Sequence, residues 1–98
     1  MPADLATLTA DDFEPRLQEE FRIATPNGDI VLKLVAVNRL GRAKRAGGAF
    51  SLLFLSPHGP FLAQAMHPMA HPTLGTLDIF IVPLGPTDDG NSYEAVFA

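Results

Sequence analysis

Two of the chain's three histidines, His67 and His71, stand four residues apart in the stretch HPMAHPTLG. On a helix that spacing brings two side chains within about 6 Å, close enough to share a metal ion. Each histidine precedes a proline, however, Pro68 and Pro72, and the residue before proline is pushed out of the α region. Along extended backbone four residues span roughly 13 Å. Zinc needs both nitrogens at about 2.0–2.1 Å, so one ion would require a sharp reversal at Met69-Ala70. The pair therefore reads as one strand histidine and one entering a turn, with His71, Pro72 and Gly75 as turn residues. A metal-dependent hydrolase built on His58, His67 and His71 is kept as a remote alternative.

The other candidates fare similarly. Ser56 and His58 are near neighbours in SPHGP, but a catalytic triad converges by geometry, and no G-x-S-x-G elbow is present. GRAKRAGG, residues 41–48, invites comparison with a phosphate loop. A Walker A loop needs G-x-x-x-x-G-K-[ST] between a strand and a helix; here two glycines lead into a strand. The adjacent acids in ADDFE and TDDGN are what a helix start and a turn use for local hydrogen bonding. Asp78 interrupts an apolar strand and faces solvent with Thr76 and Phe80. No catalytic residue, metal ligand or cofactor is expected, and the absence of cysteine excludes disulfides, thiolate metal sites and a cysteine nucleophile.

Ninety-eight residues, 47% of them hydrophobic and 18% charged, suffice for one domain spanning 1–98 with its own core. Thr9 with Asp12 three residues on resembles a capping box, and Asp11, Asp12 and Glu14 suit a helix N-terminus. A short helix is expected near 10–17, limited by Pro15. The rest reads as strands near 19–25, 30–40, 49–56, 62–69, 76–84 and 91–97. Asn27 with Gly28, and Asp89 with Gly90, mark hairpin turns. Ile30, Leu32, Leu34 and Ala36 share one face of the second strand, with Val31, Lys33, Val35, Val37 and Arg39 on the other. AFSLLFLS reads as a central strand covered on both faces. Pro83 implies an edge or a strand terminus. The expected fold is mainly β: a small antiparallel barrel or sandwich of five to six strands with one short N-terminal helix.

The formal net charge of −4 argues against a general nucleic-acid binder. No apolar run approaches the roughly 18 residues of a spanning helix, and the first residues do not resemble a secretory signal. A cytoplasmic protein without a membrane partner is expected. Four of the seven bases cluster as Arg39, Arg42, Lys44 and Arg45, a basic loop that can contact a partner.

LTADDFEPRL, FSLLFLSPHGPFLAQ, HPTLGTLDIFIVPLG and YEAVFA together resemble an uncharacterised bacterial family of short single-domain proteins, catalogued as a domain of unknown function. The resemblance spans nearly the whole chain. It implies an association with phage-tail-collar-like or fibre-like proteins, and it brings no established active site. HPTLG matches the family's turn, while His67-Pro68 depart from an aromatic and a polar residue in relatives. The expected function is a non-enzymatic β-domain that acts as a protein-interaction or assembly accessory module, docking on a protein partner. The contact would be the basic loop or an exposed strand edge near Pro83. A barrel binding a small apolar molecule, lined by Met66, Met69, Phe61 and Tyr93, is the alternative. Oligomeric state is left open by the residues.

Overall fold

Thr9 takes extended backbone (φ −127°, ψ 170°), and its amide donates to Asp12 Oδ2 at 2.8 Å. This capping contact starts helix α1 (Ala10–Phe13). Pro15 cannot supply the amide that a further α turn needs, so the chain tightens into a 3-10 turn over Glu14–Arg16. The helix expected over 10–17 is thus two short pieces. A computed structural model describes residues 8–26, 28–41, 48–59 and 61–97. Asn27, Arg42, Lys44 and Arg45 lie outside the described residues.

Six strands follow: β1 (Glu20–Thr25), β2 (Gly28–Gly41), β3 (Ala49–Ser56), β4 (Ala65–His71), β5 (Gly75–Thr87) and β6 (Gly90–Phe97). All neighbours are antiparallel, and the order β1-β2-β3-β6-β5-β4 closes into a barrel. The fold is therefore mainly β, a closed barrel with one short N-terminal helix. Exchanging the first three strands with the last three leaves this order unchanged, so the barrel is two three-stranded meanders facing each other.

Alternation fills the inside. Phe21 and Ile23 of β1, Leu32 and Leu34 of β2, Phe50, Leu52 and Phe54 of β3, Met69 of β4, Leu77, Ile79 and Ile81 of β5, and Tyr93 and Ala95 of β6 form one buried cluster. Tyr93 is buried with its hydroxyl accepting from the Leu62 amide at 3.0 Å. Leu62 is thereby tied to the core ahead of β4, which starts at Ala65 rather than near 62. Phe13 of α1 lies against Phe21, Phe50 and Phe97, at 6.5, 5.7 and 5.8 Å between ring centroids. It closes the barrel end where β3 begins and β6 finishes.

Both long middle strands break register on their way to the next strand, β2 twice (Leu34/Ala36 and Arg39/Gly41) and β5 once. In β2 the pairing with β3 jumps from Leu34 to Ala36, and in β5 the pairing with β6 jumps from Pro83 to Gly85. Such bulges let a strand bend around a small barrel. The first β2 bulge also corrects the expected faces. Beyond Val35 the alternation resets, so Val37, opposite Leu52, packs on the core and Ala36 turns outward. The outer face of β3 is less covered than expected, with Leu53 and Leu55 only half-buried, because a barrel strand has a single interior side.

The closure is thinnest between β1 and β4. Their ladder consists of one pair, Arg22↔Ala70, against five to seven pairs at every other strand junction. Continuing that register would set Ala24 opposite Pro68, and a proline has no amide hydrogen to give. At the other limit, β4 stops pairing with β5 at Ala65↔Ile81. Residues 82–87 pair in the sheet with β6, so Pro83 does lie on a local edge, which Pro83 and Pro86 blunt.

Candidate functional site

The three histidines go to three different places. His67 lies in β4, where its Nε2–H donates to the Ala63 carbonyl at 2.9 Å. His58 donates from Nε2 to the Thr87 carbonyl at 2.6 Å, tying the connection after β3 to the end of β5. His71 ends β4, and its side chain is only 2% exposed. Its Nδ1 accepts from the amides of Thr73 at 3.0 Å and Leu74 at 3.2 Å. Two donors on Nδ1 leave the proton on Nε2, which donates to Glu19 Oε1 at 2.6 Å. The ring packs on Phe21 at 4.7 Å between centroids. His71 thus clasps the start of β1 to the β4–β5 turn, beside the thinnest part of the barrel wall. With both nitrogens engaged it offers no free lone pair for base catalysis. Among the described residues no group of three or more His, Asp or Glu side chains is placed to hold a metal ion.

A cleft of about 610 Å³ opens beside this clasp, walled by Arg16, Gln18, Glu19, Arg22, His71 and Thr73 among others. Gln18 holds a left-handed backbone (φ 71°), fixed by its amide on the Leu34 carbonyl at 2.7 Å and the Leu34 amide on Glu19 at 3.1 Å. That strain, of order 1 kcal/mol, buys the reversal into β1. The charges of the cleft largely answer one another: Arg16 faces Glu19 at 4.0 Å and Arg22 faces Glu20 at 3.7 Å. Among the described residues of the cleft each arginine thus faces a carboxylate, while Arg16 Nε is buried without a hydrogen-bond partner.

Arg39, expected as part of a partner-contact loop, is committed elsewhere. The bulge sets it opposite Phe50 at the capped end of the barrel, where its guanidinium reaches Asp11 at 2.5 Å and also Glu14. These contacts raise its pKa above the ordinary value, hydrogen bonding to Asp11 first and to Glu14 second. The pairs are exposed, so they orient α1 more than they stabilise it. Of the expected turn residues, Gly28, Gly75 and Gly90 begin β2, β5 and β6 with positive φ, of 111°, 80° and 147°. Asp89 sits in the β5–β6 turn, its amide on Thr87 Oγ1 at 3.2 Å. Pro72 follows His71 in the β4–β5 turn.

The residues proposed to line a ligand-binding barrel do not converge. Met69 and Tyr93 are packed into the core, whereas Met66 points outward and Phe61 lies on the surface against Tyr93 at 6.2 Å. Met66 instead belongs to a feature that strand reading had not singled out. It pairs with Phe80, and continuing the Val82↔Glu94 register sets Phe80 opposite Val96. These three side chains form a row across the outside of β4, β5 and β6, 59%, 48% and 54% exposed. They line a shallow hollow of about 170 Å³ together with Asp78, Ile79 and Phe97. The signal was in the sequence: Phe80 and Val96 occupy the solvent parity of their strands, where alternation asks for polar residues.

Fold and surface together define a small, closed, six-stranded antiparallel barrel with an apolar stripe on one outer face. The chain belongs to the family described as Domain of unknown function (DUF6916), whose family model matches residues 8–97. Nothing matched it among curated proteins or among solved structures. No helix among the described residues is long and apolar enough to cross a membrane.

Proposed function

We propose that this barrel is a non-enzymatic interaction module that docks on a protein partner through the outer face of β4, β5 and β6. The observation that carries the reading is the row Met66–Phe80–Val96, three large apolar side chains half-exposed side by side on neighbouring strands. Single exposed apolar residues are ordinary, but a contiguous patch on a polar surface marks a contact site. The strand edges support a face rather than an edge as the contact, because Pro68, Pro83 and Pro86 discourage strand addition. A bacterial setting and a partner of the phage-tail-collar or fibre kind belong to the same proposal on the strength of the resemblance in sequence, and a cytoplasmic setting belongs to it on the residue composition.

The test is a pull-down of purified proteins encoded beside this gene, with the wild-type chain and Phe80→Ser as baits. A neighbour retained by the wild type and lost by Phe80→Ser supports the reading. Leu84→Ser, at an exposed leucine beyond the row, should retain it. Failure to retain any neighbour, or equal retention by Phe80→Ser, overturns it.

A further inference from the structure

The charge of the molecule is divided between its two meanders. Residues 1–48 hold all seven bases and seven of the eleven acids, and residues 49–98 hold four acids and no lysine or arginine. The whole net charge of −4 therefore belongs to the second half. Two of its four acids frame the apolar row. Asp78 lines the hollow with Met66, Phe80 and Val96. Glu94 lies on the solvent parity of β6, two residues from Val96 and opposite Val82. No lysine or arginine occurs in β4, β5 or β6 to neutralise either one.

We infer that the occupant of this face is a cationic, apolar-faced segment of a partner protein: large aliphatic or aromatic side chains seated on Met66, Phe80 and Val96, with lysine or arginine reaching Asp78 and Glu94. This rests on the docking reading above and adds its chemistry. An acidic or neutral segment would leave two carboxylates facing an apolar contact without counter-charge, a cost that discriminates against it. Complementary charge at the rim of an apolar contact speeds encounter and selects the partner more than it adds affinity.

Two labelled probe peptides separate the possibilities by fluorescence anisotropy: an amphipathic leucine–lysine peptide and its leucine–glutamate counterpart. The leucine–lysine peptide should bind, and Phe80→Ser should abolish binding. The paired reversals Asp78→Lys/Glu94→Lys and Asp88→Lys/Asp89→Lys change net charge equally. The first pair should weaken binding roughly tenfold more than the second, about 1.4 kcal/mol, and the difference should shrink as salt screens it. Equal losses from the two pairs would mean diffuse attraction to an acidic protein and overturn the inference. Equal binding of both peptides, lost in Phe80→Ser, would overturn the charge selection while leaving the docking face standing. Binding of neither would overturn both. Sedimentation of the chain alone completes the test: self-association abolished by Phe80→Ser would assign the face to a second copy instead.

Discussion

His71 meets three partners through two nitrogens, two adjacent amides of the β4–β5 turn and one carboxylate just ahead of β1. Replacing it with phenylalanine keeps the stack on Phe21 but orphans the Thr73 and Leu74 amides at a turn. An unsatisfied buried donor costs about 1–3 kcal/mol; for these part-buried amides His71→Phe should lower the unfolding free energy by about 1 kcal/mol, read as a lower urea midpoint, without changing the far-ultraviolet spectrum. Unchanged stability would mean that water replaces the imidazole. The glycines divide in the same way. Gly28 and Gly90 both begin the second strand of a hairpin with positive φ, but a Cβ on Gly28 meets nothing within 4 Å. On Gly90 it would stand 2.0 Å from the Ser56 carbonyl oxygen. Gly28→Ala should therefore cost only backbone strain, about 1 kcal/mol, and Gly90→Ala clearly more, with backbone displacement adding about 1–3 kcal/mol. Equal thermal shifts in the two variants would contradict this. The prolines after His67 and His71 were legible as punctuation in the sequence. The clasp to Glu19 was not, because Glu19 lies 52 residues away and only the closed barrel brings it near.

At the scale of elements, periodicity pointed to a mainly β chain of five to six strands, and the barrel has six, since alternation is a local property that survives any topology. It mistook the far half of β2. One extra residue at Val35 exchanges the two faces, and nothing in the composition of LKLVAVNRL marks where a strand bulges. Arg39 was read with the basic cluster that follows it in sequence, whereas the reset alternation delivers it to α1. The β1–β4 junction carries the clearest expectation for dynamics. With a single ladder pair, its amides should exchange with deuterium before those of the β2–β3 and β3–β6 ladders, as regions with few backbone bonds open at lower free energy. Uniform protection around the barrel would show that the clasp and core packing compensate for the missing pairs.

For the whole molecule, the sequence pattern left barrel and sandwich equally open, because strand order depends on pairings between distant segments. The same distance hid the apolar row: Met66, Phe80 and Val96 are neighbours only once β4, β5 and β6 lie side by side. The charge division was readable from composition by halves, but its meaning needed the row it frames. The matching meanders have one more consequence. Each half supplies the strand that closes the other, and residues 57–64 form the single covalent link between them. Two chains can trade halves through that link and keep every ladder intact, since the pairings do not depend on which chain contributes them. A link too short to fold back within one chain favours the traded form. Deleting the exposed Ala63 and Gln64 should therefore yield an intertwined dimer of doubled mass in light scattering, with the spectrum of the native barrel. A monomer of native spectrum would mean that the remaining link still spans the turn.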